Sequence, residues 1–591
     1  MIEQQKAIYC CNEIRWGEIQ AQSDHGPPSR LAWVVALLFV AAVTVRAWAL
    51  GSYGINNDEN LWHIRSAEFV KSLLGPFAPG DIAVPKDFGD HINLAVNLLE
   101  GSRRVISREY PFTAHIDTVH PGTPISFLMG LSHILLARGS SSWSLNWLSV
   151  IAASRLPNVI VGASIVFVFF YLGKALVGWR AALFAAAFGA FEPFLVGYSR
   201  EAQLDMSATV FIAGSLLCYF NARCGSGKQR QLAIFGGIFG GLALATNPYA
   251  VYIFPALLAA RLLWQPRREE KTGGKLLSRA LLPDETDVFY ALSWALTFVL
   301  VYPNIWPNPI LGVREWFRLV NEMPHLQTGS ALKHFAFLIH GPIHVLPWTL
   351  LLGLFGGYMG IKTRDRAVVA ILAWLGSYLL FLSVLAGDIS LKRMLFLLPA
   401  LVLLAGYGLD RIIRRMESRN RKPNPGMAYP AAISLLVVAG LAVNIWWWPY
   451  PDLFTWPWLP DPQKWSPPTE VSVGEGMYHA VEYIHQSDGE KARIACLSGA
   501  NNAAYFHDSS LVHNAPSTLQ ELKDLNCDWL VVLPKYVYRV PPVNEVIRFA
   551  KDNRPTHMTW HHQIETTRMF DLREFGLSGS PAKANVVNGM K

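Results

Sequence analysis

Charge is what this chain has least of. Only 16% of its 591 residues are Asp, Glu, Lys or Arg, against roughly 25% in an ordinary soluble domain, while 52% are hydrophobic. The net charge of +8 does not argue for nucleic acid, because Lys and Arg gather in short loops between apolar runs, where they set topology. Cysteine is sparse as well. Six residues cannot frame a disulfide scaffold, and nothing requires Cys496 and Cys527, which fall together near the C-terminus, to pair. A dinucleotide loop is missing: Gly236-Gly237-Ile238-Phe239-Gly240-Gly241 follows no strand, and its small residues four apart suit close helix packing. Metal ligands are missing too. His340 and His344 have helical spacing, but Gly341-Pro342 intervenes and no third ligand is evident. His557, His561 and His562 lie in a strand-like stretch that suits solvent exposure, so no metal and no cofactor are expected.

What the chain does have is a succession of apolar runs from 31 to 448, after which the pattern stops. This describes an α-helical polytopic membrane protein with a small soluble C-terminal α/β domain. The expected division is 1–30, a polar cytoplasmic segment without a cleavable signal; 31–450, a transmembrane module with a large outer loop at 51–150; and 451–591, an extracytoplasmic domain. Basic clusters at Lys174/Arg180, Arg223/Lys228/Arg230, Arg267 to Arg279, Lys362/Arg364/Arg366 and Arg411 to Lys422 all fall on one side if 122–137 is an interfacial helix and not a span. That segment is short and interrupted by Ser126, Ser132 and His133, as suits an interfacial position. Eleven spans result, near 31–50, 151–173, 181–198, 206–222, 231–247, 248–264, 287–303, 340–361, 367–386, 393–410 and 429–448. The N-terminus is then inside and the C-terminal domain outside.

The outer side collects the polar residues. Asp58 and Glu59 form an acidic pair just beyond the first span, able to take a proton from a hydroxyl or hold a polar ligand. Helix-like stretches at 59–74 and 90–100 follow in a loop far longer than a connection needs. His120-Pro121 opens the interfacial segment, with Pro121 suited to a first helical turn. Arg200 and Asp205 link two spans, either as a plain ion pair or with Arg200 as an anchor for phosphate or for the acidic pair. Glu192 lies inside an apolar run before Pro193, where it is a functional candidate or a partner for backbone groups freed by the proline. Tyr302-Pro303-Asn304-Ile305-Trp306-Pro307 suits an aromatic belt. Lys392 and Arg393 sit at the outer end of a span, against the trend of the other cations, and an anion there would explain them.

Taken in order, these features resemble the protein O-mannosyltransferase family and its bacterial relatives, the aminoarabinose transferases of lipid A, over roughly 31–410. The resemblance rests on the acidic pair, His120-Pro121, Arg155-Leu156-Pro157, Ser199-Arg200 followed by Asp205, Tyr302-Pro303 with Trp306, and the basic residues before Leu397-Leu398-Pro399. It implies a GT-C fold of about 11 transmembrane helices. It also implies transfer of mannose or a similar sugar, with inversion, from a polyprenyl-phosphate donor to an acceptor hydroxyl on a protein, lipid or polysaccharide. By position, Asp58 would be the base and Glu59 would orient the acceptor or the base, while His120, Arg200, Asp205, Lys392 and Arg393 would bind substrate. Two departures stand out: Gly122 replaces the second proline of the family's His-Pro-Pro motif, and Thr246-Asn247-Pro248 carries no Lys where many relatives do. A bacterial inner membrane is the implied location. The competing reading is a transporter or flippase of lipid-linked sugars, but no internal repeat is evident and the polar residues cluster at one face, not at the midplane.

After Trp446-Trp447-Trp448 the text becomes proline-rich and then alternates. Helices are expected at 477–486, 517–525 and 543–552, strands at 492–498 and 528–534, and one or two strands at 557–572. Nothing in this region looks catalytic.

Overall fold

A computed structural model describes residues 30–48, 50, 57–74, 88–107, 122–136, 150–225, 227–264, 282–321, 344–385, 391–419, 425–448, 476–497, 503, 507–534, 544–561 and 564–578. A helix occupies each of the eleven segments expected to span. By length and composition, two helices among the described residues are long and apolar enough to cross a membrane, Ile151–Val177 and Ala428–Trp446. The number is three if the bent pair Trp179–Phe191 and Pro193–Ser199 is one span. The other helices are shorter or less apolar; Leu31–Ala47, Thr123–Leu136, Pro248–Leu263 and Arg366–Leu382 are apolar but of 10–17 residues. Leucines such as Leu292, Leu351 and Leu435 stand more than half exposed on outward faces, which is what a helix displays toward lipid.

The glycine-rich run behaves as its spacing predicts. The Gln229–Thr246 helix is wedged between Asp205–Arg223 and Glu285–Leu300. Gly236 faces the Ser215 carbonyl, and a Cβ on Gly241 would lie 2.6 Å from the Trp294 carbonyl oxygen. No larger residue fits between these backbones.

Prolines shape one end of the bundle. Pro193 has no N–H for the Gly189 carbonyl, and the chain bends there by 55°. Arg46, in the last turn of the Arg30–Ala47 helix, donates instead to Gly189 O at 3.0 Å and to Ala190 O at 2.7 Å. Asn444 donates to Phe191 O at 2.7 Å. Glu192 accepts the Leu346 N–H and the Thr349 hydroxyl, both at 2.9 Å, and so closes the start of the Pro347–Thr363 helix. The expectation that Glu192 partners the groups freed by Pro193 does not hold: Arg46 and Asn444 meet them, and Glu192 serves a neighbouring helix.

The interfacial segment forms a helix at Thr123–Leu136. It starts two residues beyond Pro121, which lies outside the described residues, so Pro124 takes the place in the first turn. Gly122 has φ of +55°, a conformation closed to proline. Gly130 presses on the Ser66 carbonyl and brings the Asn57–Leu74 helix against this one.

The C-terminal region folds as a five-stranded sheet in the order β2-β1-β3-β5-β4, with β1 Ile494–Leu497, β2 Val512–Asn514, β3 Trp529–Val532, β4 His557–His561 and β5 Ile564–Asp571. β2, β1 and β3 are parallel, and β5 and β4 run antiparallel to their neighbours. The helices Met477–Asp488, Leu519–Asp524 and Glu545–Asp552 match the three expected. Three-residue β2 has no counterpart in the sequence reading; it is too short to show an alternating pattern. Cys496 and Cys527 are both buried free thiols.

Candidate functional site

Asp205 begins the Asp205–Arg223 helix, where the exposed N–H groups of a first turn favour a carboxylate. Its surroundings are set by two breaks in neighbouring helices. At one break Asn247 leaves helical geometry, caps the Pro248–Tyr252 turn by accepting the Tyr249 N–H at 3.0 Å, and donates from Nδ2 to Asp205 Oδ1 at 3.0 Å. At the other, the Leu391–Phe396 turn delivers Arg393, whose Nη1 lies 3.2 Å from the same oxygen. The Arg393 guanidinium also stacks over the Tyr249 ring at 3.9 Å from its centroid. Lys392 Nζ is 4.0 Å from Asp205 Oδ2. Asp205 and Arg393 are 7% and 4% exposed and Lys392 is 24%, so the lysine forms the open rim of the cluster.

Three of the expected residues thus come together: Asp205, Lys392 and Arg393. Arg200 turns to a different set. Its Nη1 donates to the Trp48 carbonyl at 3.0 Å, beyond the end of the first helix, and its guanidinium stacks on Trp448 at 3.8 Å. The carboxylate partner of the two cations is Asp205, and Arg200 works as a clamp between the first and last helices of the bundle.

Asp58 and Glu59 lie in the first turn of the Asn57–Leu74 helix, with side chains outside the described residues. One turn on, Trp62 packs with Ile125, Met129, Ala202 and Leu204. Leu204 immediately precedes Asp205, so the backbone carries the acidic pair's helix to the neighbourhood of the cluster. His120 and His340 are outside the described residues, and His344 is buried beside Phe194. Among the described residues no group of three metal ligands forms.

Sequence reasoning singled out Asn247 only as part of Thr246-Asn247-Pro248, where a Lys is absent, and missed Asn158, Tyr249 and Arg46 as parts of this end. Asn158 donates to the carbonyls of Glu201 (2.7 Å) and Gln203 and accepts the Ser207 hydroxyl, fixing the turn that leads to Asp205. Arg155, three residues before, donates to the Leu50 carbonyl at 2.7 Å. The Arg155-Leu156-Pro157-Asn158 stretch is therefore a scaffold for the site. Arg46 gave a signal that went unused, a cation inside a run otherwise apolar. Trp306 donates from its indole to the Val299 carbonyl at 2.8 Å, and Tyr302 is buried against Phe298, so the Tyr302–Trp306 text forms a structured turn.

Residues 126–282 match the family model for dolichyl-phosphate-mannose-protein mannosyltransferase. Over 320 residues the chain is 25% identical to undecaprenyl phosphate-alpha-4-amino-4-deoxy-L-arabinose arabinosyl transferase 1 of Sodalis glossinidius, covering 52% of this chain and 53% of that relative, about half its length. Among solved structures, ArnT from Cupriavidus metallidurans in the apo state aligns at TM-score 0.47 and 15% identity, over 93% of this chain and 100% of that one. The Archaeoglobus fulgidus oligosaccharyltransferase in the apo form aligns at TM-score 0.45 and 11% identity, over 86% and 70%. The resemblance drawn from the ordered motifs is thus met by a family-model match and by a curated relative of the aminoarabinose transferase type.

Proposed function

We propose that this chain is an integral-membrane glycosyltransferase that moves a sugar from a polyprenyl-phosphate donor to an acceptor hydroxyl on the extracytoplasmic side. The observation that carries the proposal is the Asp205–Arg393–Lys392 cluster at the proline-broken end of the bundle, next to the helix that begins with Asp58 and Glu59. Both the matched family and the curated relative are named for sugars linked to a polyprenyl phosphate, and the matched segment contains Arg200, Asp205 and Asn247. A cluster with two cations and one carboxylate suits that donor's phosphate.

Asp58 takes the proton of the acceptor hydroxyl, and Glu59 orients the acceptor or the base. The acceptor oxygen attacks the anomeric carbon. The bond from that carbon to the phosphate oxygen breaks, its electron pair leaves with the phosphate, and the configuration inverts. Arg393 and Lys392 stabilise the charge that develops there, an effect on the order of 3 kcal/mol per well-placed donor. A guanidinium has five N–H donors in a planar fork, enough to serve a carboxylate and a phosphate together. His120 completes the substrate contacts, and Arg200 maintains the site from its place under Trp448.

The test is sugar transfer in membranes supplied with radiolabelled polyprenyl-phosphate-mannose, wild type against Asp58→Asn at matched expression. Losing a positioned base costs about 100-fold or more. Equal transfer by both proteins removes Asp58 from the mechanism. No transfer by wild type, with a panel of other polyprenyl-phosphate sugars also inert, removes the transferase reading.

A further inference from the structure

Three neutral side chains near the acidic pair's helix are buried without a hydrogen-bond partner. Thr123, Ser126 and Gln203 are each 2% exposed. The hydroxyls of the first two and both ends of the Gln203 amide meet no donor or acceptor among the described residues. We infer that they form a subsite that reads the hydroxyls of the donor's sugar, separate from the cations that serve its phosphate. This rests on the proposed polyprenyl-phosphate-sugar donor and goes beyond it to residues that select the sugar.

Elsewhere in the bundle several buried helical hydroxyls bond the carbonyl four residues earlier, as Ser66 does to Trp62 at 2.6 Å, Thr209 to Asp205 at 2.7 Å and Thr246 to Leu242 at 2.7 Å. Ser126 has the Gly122 carbonyl at the same offset, yet only its N–H, at 2.9 Å, uses it. Thr123 and Ser126, three residues apart, share one face of the Thr123–Leu136 helix. The start of that helix lies against the chain leading to Asp205. A Cβ on Gly122 would fall 2.6 Å from the Leu204 side chain and 3.0 Å from Trp62, and Ile125 packs with both. Gln203 immediately precedes Leu204, and Asn158 holds its carbonyl. The same helix packs on the Gln229–Thr246 helix, which hands on to Asn247, the partner of Asp205. Buried donors and acceptors left unmet destabilise a fold. Four such atoms, where the acidic pair's helix meets the phosphate cluster, point to a ligand that brings donors and acceptors of its own. A sugar does, since every hydroxyl is both. All three side chains are uncharged, which suits a neutral polyol and not a phosphate.

Binding is measured on the purified full-length protein in detergent. The probes are farnesyl-phosphate mannose, glucose, galactose and arabinose, with farnesyl methyl phosphate as a sugar-free control of the same phosphodiester charge. No acceptor is present, so side chains that touch only the acceptor would leave every affinity unchanged. At least one sugar-bearing probe is expected to bind the wild type more tightly than the control. Gln203→Met keeps the length and removes the amide; it is expected to weaken that probe about tenfold, which is about 1.4 kcal/mol. Thr123→Val and Ser126→Ala weaken it about fivefold each, the scale of one neutral hydrogen bond. Thr123→Ser, which keeps the hydroxyl, binds it as the wild type does. Farnesyl methyl phosphate binds all the variants equally, and their thermal midpoints stay at or above the wild-type value because an orphaned polar group has gone. A purely structural role would lower the midpoint and weaken every probe alike, which overturns the inference. Variants that bind the sugar probes as the wild type does also overturn it, as does a wild type that binds none of them better than the control. In each of these cases a bound control leaves the reading of the donor's phosphate standing. If no probe binds the wild type, the donor reading fails and takes the inference with it.

Discussion

Arginines at the two ends of the helical bundle meet different partners. At one end they face carboxylates. Arg223 pairs with Asp284 and Asp287, Arg261 with Asp287 at 3.0 Å, Arg230 with Glu285 at 2.6 Å, and Arg414 with Asp410 at 2.8 Å. At the other end Arg46, Arg155 and Arg200 are fully buried and donate to main-chain carbonyls, and Arg393 meets a carboxylate, Asp205. The difference follows from the backbone. Pro193, Pro248, Pro303 and Pro347 all start helical segments at the second end, and each break leaves groups without an intrahelical partner. Buried orphan carbonyls need strong donors, and arginine supplies them. An end built this way has irregular backbone and cationic side chains held in place, which is what binding an anion requires. The other end is stapled by these ion pairs.

The sharpest way to break this comparison is to remove the cap on the most severe bend. Arg46→Met keeps most of the side-chain volume but leaves the Gly189 and Ala190 carbonyls unmet inside the bundle. Each buried group left unsatisfied costs about 1–3 kcal/mol, so the loss is on the order of 3 kcal/mol. Thermal unfolding of the full chain in detergent should show it as a clear drop in midpoint. A variant as stable as wild type would mean that the bend needs no cap.

The C-terminal sheet extends the same logic to a milder case. His485 Nε2 lies 2.6 Å from His507 Nδ1, and His507 Nε2 donates to the Ala492 carbonyl at 2.7 Å. Burial, with the neighbouring His507 imidazole, holds His485 below the ordinary histidine value, and burial does the same to His557 where it stacks on Tyr483. The folded chain therefore favours the neutral rings and the unfolded chain binds the extra protons. This stabilisation is complete above the ordinary histidine pKa of about 6.5 and is lost as pH falls through the lower folded values. Hydrogen exchange of the β1 and β3 amides, followed from about pH 7.5 to 5, should quicken beyond its intrinsic pH dependence, and less so in His485→Gln. Identical profiles in the two proteins would sink the assignment.

Much of this organisation was legible beforehand, and the reasons it was legible are specific. Apolar runs and the Gly236–Gly241 spacing located helices and their tight packing because both depend on local composition. Asp205, Lys392 and Arg393 stood out because charge at the outer edge of an apolar run is costly and rarely idle. Asn158 did not stand out, since a neutral amide inside a helix carries no charge to mark it; its role exists only once the 201–203 turn packs against that helix. The contacts of Arg200 were not legible for a related reason. It sits five residues from Asp205 in sequence, but the turn between them points it at Trp48 and Trp448, and chain proximity says nothing about that direction.

The smallest effect is expected at the stapled end, where it tests whether burial, and not charge itself, separates the two ends. Arg230 and Glu285 make a short ion pair, yet their side chains are 64% and 68% exposed. Water and salt screen such a pair, and holding two long side chains in one geometry offsets much of the attraction. Arg230→Ala should therefore change stability by no more than about 0.5 kcal/mol, within the range for exposed pairs. Whatever difference remains at low salt should vanish in high salt, while the deficit of Arg46→Met persists because its partners are carbonyls inside the bundle. If Arg230→Ala proves as damaging as Arg46→Met, the ends differ in sequence but not in energetics, and burial is not what sets the buried arginines apart.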